Sequence, residues 1–342
     1  MGIEFKLLKA ECGDSILVST YEKIKNKKKY QKHILIDGGK GLGNYILNIK
    51  PDLEHFKVLD LVILTHIDND HICGLIDLIQ DKDKKIKEIW FNSHEKMKVH
   101  LKSNEKGYSE GVFFEKLLKK YKLSKKHKSD IFLKNYKERK EFNIGDIKLK
   151  LLSPLKSDLI KLQEEWKKHK EKPCYKSQEE ISDSYSIDDE KTLAELKGVK
   201  FGRDGSLKNK SSIAFILEYK TKKYLFLGDA RIQVINKSLK GLNYADKENP
   251  LDIEFVKLSH HGSKGNINKK FLDLIKTDTF VTLTNGNCHE LPNKATYSLI
   301  ATHKKRAKKI KFIFNYPQYY KEKFSNDDEG NYTFNTTYKE TL

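Results

Sequence analysis

The segment LDLVILTHIDNDHICG, residues 59–74, constrains this chain more than any other: a nearly continuous apolar run gives way to four potential metal ligands, His66, Asp68, Asp70 and His71, within six residues. A run without polar alternation fits a strand buried on both faces, and therefore a sheet covered on both sides. Side chains that alternate across a strand can curl around a common point in the loop at its end. Imidazole nitrogens and carboxylate oxygens are donors that Zn, Mn and Fe accept. Asp and Asn also favour turns. A turn needs one or two such residues, however, not two His and two Asp directly behind an apolar strand.

Around this segment, short strand-like and helix-like stretches alternate. IEFKLLKA (3–10), DSILVST (14–20), KHILIDGG (32–39) and KEIWFNSH (87–94) read as strands. Helices are expected over 42–49, over GLIDLIQ and over VFFEKLLKKYKL (112–123), with strand character returning at FNIGDIKLKLLSP (142–154). Residues 155–200 read as an insertion: a charged helix, LIKLQEEWKKHKE, then a polar stretch around 176–190. The second half repeats the cadence. SSIAFILEY and KYLFLGDA suggest a hairpin, IEFVKLSHHGS a strand ending in a polar loop, and NKKFLDLIK a helix. TFVTLTNG follows as a strand, NKATYSLIATHKKR as a helix and KKIKFIFN as the final core strand. Two halves of several strands, each followed by helices, predict one domain over 1–342: an α/β fold in which two mixed sheets pack face to face with helices outside, an αββα sandwich.

Lys and Arg outnumber Asp and Glu by 67 to 48, a formal excess of 19. A basic surface attracts polyanions such as nucleic acid. Only four of the 67 are Arg, and abundant Lys, Asn and Ile are also what an AT-rich genome writes regardless of function. The cysteines (Cys12, Cys73, Cys174, Cys288) are scattered, a pattern that suits free thiols in a reducing compartment. The first residues carry no signal-peptide pattern and no stretch is apolar enough to span a membrane, so a soluble cytoplasmic protein is expected.

The segment at 65–74 resembles the signature of the metallo-β-lactamase superfamily, whose usual form is H-x-H-x-D-H followed shortly by Gly. Asp68 stands where most members carry the second His, a variant seen in branches acting on phosphodiesters, including the nuclease domain of competence DNA-uptake channels. Asp37 in ILIDGG is similar to the family's structural Asp after the third strand, which hydrogen-bonds to the ligand loop. Asp229 in YLFLGDA resembles the Asp that bridges two metals, KLSHHGS (257–263) the late His motif, and NGNCHELP (285–292) an Asn/His element that contacts substrate. The region LKNKSSIAFILEY lacks the His of the family's third motif and resembles the N-x-S-S form of the DNA-uptake branch.

The resemblance implies one or two divalent ions, Zn or Mn. The first would lie among His66, Asp68 and Asp229 with Asn209 or water, the second among Asp70, His71, Asp229 and His261, which is favoured over His260. Asp68 or Asp70 would orient a metal-bound hydroxide. His260 or His289 would stabilise charge or protonate the leaving group. Asn209, Ser211, Asn285, Asn287 and His289 are the expected substrate contacts, and Asp14 in CGDSILV is read as a turn former. The leading expectation is a phosphodiesterase or nuclease acting on DNA or RNA, with a partner protein of a bacterial defence or mobile-element system and no membrane partner. Two rival classes stay open: a hydrolase of a small ester, thioester or phosphoester, and a non-catalytic, metal-stabilised module that binds a partner.

Overall fold

Strand alternation decides the architecture. In β2 (Ile16–Ile24) and β3 (Lys27–Ile36), Ile16, Val18, Ile34 and Ile36 enter one apolar cluster while Leu17 and Leu35 enter another. A strand whose two faces both bury apolar side chains must be packed on both sides. The computed structural model describes residues 1–25, 27–41, 43–93, 109–166, 188–288, 290–303, 309–317, 324 and 334–342.

The first sheet has the order β1 (Gly2–Leu7), β2, β3, β5 (Leu61–Ile63), β7 (Ile89–Trp90) and β8 (His127–Lys128); its first three strands are antiparallel and the rest parallel. In the second sheet, β18 (Phe334–Tyr338), β17 (Ile310–Phe314), β16 (Thr279–Thr282), β14 (Phe255–Lys257) and β12 (Lys222–Phe226) run parallel. The antiparallel strands β11 (Ala214–Tyr219), β10 (Ile147–Ser153) and β9 (Glu141–Ile144) complete it. Two short parallel pairs lie apart: β4 (Val58–Leu59) with β6 (Lys85–Ile86), and β13 (Leu251–Asp252) with β15 (Ile275–Lys276).

Phe5, Val18, Ile36 and Ile63 meet Leu149, Phe215 and Phe226 in the core between the sheets. Outside the first sheet, α2 (Asn69–Gln80) and α3 (Ser109–Lys120) cover Leu17, Leu35, Val62 and Leu64; α1 (Lys50–Leu53) adds Leu53 to the same cluster. On the second sheet, Ile235 and Leu239 of α5 (Ile232–Gly241), Phe271 of α6 (Lys269–Leu274) and Tyr297 of α7 (Lys294–Ala301) join the main core. The expected αββα layering is therefore observed.

Several local expectations are corrected. The predicted strand at 142–154 is a hairpin, because Gly145 takes a positive φ of 61° and turns β9 into β10. The helix expected at 42–49 is a π-helical turn, Tyr45–Ile49, leading into α1 at Pro51. Strand pairing in KEIWFNSH is confined to β7, and His94 lies outside the described residues. The strand at 310–314 is not the last. β18 pairs beyond it, and Leu342 exchanges backbone hydrogen bonds with Phe5, at 2.9 and 3.0 Å, at the edge of the first sheet. The insertion begins with α4 (Lys156–Trp166), and residues 167–187, Cys174 included, lie outside the described residues. Its far end is integral, since Leu193 is fully buried in the main core.

Free thiols were expected, but Cys12 and Cys288 are joined by a disulfide, with Cα atoms 5.8 Å apart across a sequence separation of 276 residues. The cysteine-based argument for a reducing compartment loses that support. Among the described residues, no helix is long and apolar enough to cross a membrane.

Candidate metal centre

Loops at one end of both sheets carry the candidate ligands. Thr65, the residue before His66, is fixed from both sides. Its N–H and hydroxyl donate to the Asp37 carboxylate at 2.7 and 2.8 Å, and its carbonyl accepts the Ile213 N–H at 3.0 Å. α2 then begins with Asp68 as its N-cap residue and Asp70 in its first turn, where the positive end of the helix dipole favours carboxylates. Two glycines let α2 approach the turn after β3: a Cβ on Gly74 would lie 1.9 Å from the Gly38 carbonyl oxygen, and one on Gly38 would lie 2.4 Å from Leu75 N.

From the second sheet, β12 is followed by Leu227, Gly228 and Asp229, and the Asp229 N–H donates to Ser212 Oγ at 3.3 Å. After β14, His260, His261 and Gly262 take φ values of 50°, 51° and 84° in succession. A non-glycine residue in that region costs about 1–3 kcal/mol, so the surroundings must impose the conformation. They do so through His260 N–H donating to Gly228 O at 3.1 Å, and through His261 Nδ1, 2.9 Å from Leu283 O.

Asp70, His71, Asp229 and His261 are thereby brought together, with one ligand atom from each lying within 4.8 Å of the others. His71 Nε2 is 3.4 Å from Asp229 Oδ2 and 3.8 Å from Asp70 Oδ2, and His261 Nε2 is 3.0 Å from Asp70 Oδ2. Each imidazole is held through its other nitrogen: His71 Nδ1 lies 2.8 Å from Asp37 Oδ2, and His261 Nδ1 faces the Leu283 carbonyl. A proton held on Nδ1 leaves the Nε2 lone pair for an ion. His66 Nε2, His71 Nε2 and Asp229 Oδ1 are buried without a hydrogen-bond partner among the described residues, a costly state for polar atoms that an ion would relieve. The donor set fits a divalent metal.

Electrostatics agree. Burial opposes charge on the His71 imidazole, yet Asp229, Asp70 and Asp37 raise its pKa well above the usual histidine value. Burial likewise works against charge on His261, whose pKa Asp14 and Asp229 raise to about 10. Burial would push Asp229 and Asp70 up, but the same imidazoles hold both below the carboxylate range. Four acidic groups, Asp14, Asp37, Asp70 and Asp229, and two basic ones, His71 and His261, thus share one buried cluster.

The other implied ligands lie around it. His66 Nε2 is 3.4 Å from Asp68 Oδ2 and 3.8 Å from Asp229 Oδ2, and Asp68 Oδ1 is 3.3 Å from the Lys208 ammonium. His260 Nε2 is 3.8 Å from Asp229 Oδ2, and its side chain is 26% exposed, so it stands at the mouth while His261 is buried. Asn209 is buried; its Nδ2 reaches Asp204 at 2.9 Å and His260 Nδ1 at 3.4 Å, and its Oδ1 has no partner among the described residues. Ser211, an expected substrate contact, donates its hydroxyl to the Lys208 carbonyl at 2.6 Å. Asn285 donates to Glu11 Oε2 at 2.6 Å and accepts the Asn287 N–H at 3.1 Å; His289 lies outside the described residues.

Asp14 is not a simple turn former. It is 2% exposed, ion-paired with the equally buried Lys257, and its Oδ1 is 3.2 Å from His261 Nδ1. Burial disfavours its ionisation, but Lys257 and His261 together hold its pKa below the ordinary value. Asp204 and Asn266 were also missed. Asp204 Oδ2 accepts from Asn209 and from Asn266 Nδ2 (3.0 Å) and lies 3.8 Å from His260 Nδ1, which is 3.3 Å from Asn266 Oδ1. One signal was available: Lys257 interrupts an apolar strand, and a lysine there must find a buried partner.

A family model described as the metallo-beta-lactamase superfamily matches residues 32–286. No curated protein matches the chain. Among solved structures, the metallo-beta-lactamase fold protein YhfI from Bacillus subtilis is 8% identical over 99% of this chain and 97% of its own, with a TM-score of 0.44. The archaeal superfamily protein ST1585 from Sulfolobus tokodaii is 14% identical over 70% of this chain and 74% of its own, with a TM-score of 0.32. A long form RNase Z from yeast is 11% identical over 91% of this chain and 36% of its own, with a TM-score of 0.35.

Proposed function

The chain belongs to the metallo-β-lactamase superfamily, and from that premise we propose that it is a metal-dependent phosphodiesterase acting on DNA or RNA. The observation that carries this reading is the buried cluster of Asp70, His71, Asp229 and His261, in which His71, and beside which His66, holds an Nε2 without a hydrogen-bond partner among the described residues. Two imidazoles and two carboxylates suit Zn or Mn, with Asp68 adding oxygen character on the His66 side. When bound, a divalent ion supplies Lewis acidity and brings the ionisation of water towards neutral pH.

The protein's own groups supply the rest. Asp37 and the Leu283 carbonyl keep the two ligand rings turned with Nε2 inward. Asp68, between His66 and Lys208, is placed to orient the attacking water. Lys208, whose side chain is 24% exposed, offers a cation for a phosphoryl oxygen. His260 stands at the mouth with Nδ1 facing oxygens of Asn266 and Asp204; when both of its ring nitrogens carry protons, it can hand the one on Nε2 to a leaving oxygen. The formal charge of +19 favours a polyanionic substrate over a small neutral ester.

The test is cleavage of linear and circular DNA and RNA, with bis(p-nitrophenyl) phosphate alongside, by metal-stripped protein resupplied with Mn, Zn or Mg. Activity restored by metal and abolished in His71→Ala is expected. Folded, metal-loaded protein that cleaves none of these substrates would remove the phosphodiesterase reading.

A further inference from the structure

The ion pair between Lys257 and Asp14 joins β14 of the second sheet to the β1–β2 loop of the first, 243 residues away, and both partners are essentially excluded from solvent. A buried ion pair is a poor source of stability, because desolvation offsets most of the attraction. Its surroundings point to a different use. The Asp14 N–H donates to the Asp70 carbonyl at 3.2 Å, and Gly13 packs so closely on that carbonyl that a Cβ would lie 1.8 Å from its oxygen. Asp14 Oδ1 lies 3.2 Å from His261 Nδ1 and has no other partner among the described residues. The Lys257 ammonium is 3.5 Å from the carbonyl of Gly228, the residue before Asp229. The pair thus touches the backbone of one ligand, the ring of a second and the neighbour of a third.

We propose that Asp14 and Lys257 are positioning residues for the metal centre, acting on His261; the inference rests on the metal-centre reading above. Nδ1 of His261 faces two acceptors, Asp14 Oδ1 and Leu283 O, and no donor is described against it. Its proton therefore belongs on Nδ1, and Nε2 is left as the ligand atom. Lys257 anchors the other oxygen of Asp14 and balances its charge, so the carboxylate stays beside the ring without adding net negative charge to a site already crowded with Asp70 and Asp229. Asp37 serves His71 in a different manner, held by the Thr65 N–H and hydroxyl with no lysine or arginine against it among the described residues. The two imidazoles are thus held by different devices, and that of His261 sets a charge pair between the two sheets.

The experiment compares wild type, Asp14→Asn, and the double variant Asp14→Asn/Lys257→Met by Zn titration calorimetry, by the d–d absorption of the Co(II)-loaded proteins, and by urea unfolding of the metal-free proteins. Asp14→Asn leaves a buried lysine unpaired, so it is expected to lose both stability and about 10–100-fold in Zn affinity. The double variant removes both charges. It should recover much of the stability while keeping the loss of affinity and an altered Co(II) spectrum. Affinity and spectrum that recover together with stability would reduce the pair to a structural tie and overturn the proposal. Wild-type protein that takes up no Zn, Mn or Co would sink the metal-centre reading itself, a result distinct from a variant that binds as wild type does.

Discussion

Asp37 gathers three buried donors on one carboxylate: the N–H and hydroxyl of Thr65 and the Nδ1 of His71. Replacing it with Ala strands all three, and each unsatisfied buried group costs about 1–3 kcal/mol. Asp37→Ala should therefore lose at least about 3 kcal/mol of unfolding free energy in the metal-free protein and about 10–100-fold in metal affinity. Urea denaturation and calorimetric titration read the two effects; unchanged affinity would separate Asp37 from the centre. The candidate ligands were legible one residue at a time, because His66, Asp68, Asp70 and His71 crowd into one short segment whose chemistry is local. Asp14, Asp204, Asn266 and Lys257 were not. Each gains its meaning from a partner far away in the chain, and a lone Asp in CGDSILV looks like any turn residue until Lys257 lies against it.

At the scale of elements, the strands that alternate between two apolar clusters were legible because burial on both faces leaves a period in the sequence. The exceptions have local causes. Gly145 splits one expected strand into β9 and β10, and the segment before α1 winds as a π-turn that hydrophobic spacing does not distinguish from an α-helix. Tertiary contact also decides how near α2 comes to β3. The Gly38–Gly74 contact sets that distance, and α2 carries Asp70 and His71 in its first turn. Gly74→Ala would gain a little helix propensity, ~1 kcal/mol, but its methyl must displace the Gly38 backbone. Overpacking of this kind costs about 1–3 kcal/mol. The expected net result is a lower melting temperature together with weaker metal binding, because the helix start moves with the strain. A variant that melts at or above the wild-type temperature with undiminished metal affinity would show that the contact has room to spare.

Across the whole molecule, carboxylates and imidazoles are buried together, so stability depends on pH in a way that composition alone cannot reveal. His33 is in neither candidate metal group and packs against Phe56 with ring centroids 3.9 Å apart; burial lowers its pKa to about 4 despite the attraction of Asp60. A histidine with a depressed folded pKa contributes stability above its ordinary value of 6.5, and that contribution is lost as pH falls from 6.5 towards 4. After allowance for solvent screening the loss is about 1–2 kcal/mol. His261 has the opposite sign. Its pKa is raised to about 10 in the metal-free protein, so its contribution is complete below 6.5 and disappears as pH rises towards 10. His71, raised by Asp229, Asp70 and Asp37, acts in the same direction. Metal-free protein is therefore expected to be most stable near pH 6.5, with urea midpoints falling on both sides. His33→Gln should flatten the acid limb only. Saturating Zn should lift the alkaline limb, because an ion replaces the protons that the two imidazoles lose, and its affinity rises as they are lost. A metal-free stability that climbs steadily from pH 6.5 to pH 10 would mean that the buried imidazoles are already neutral, and that the carboxylates around them are balanced by something other than protons.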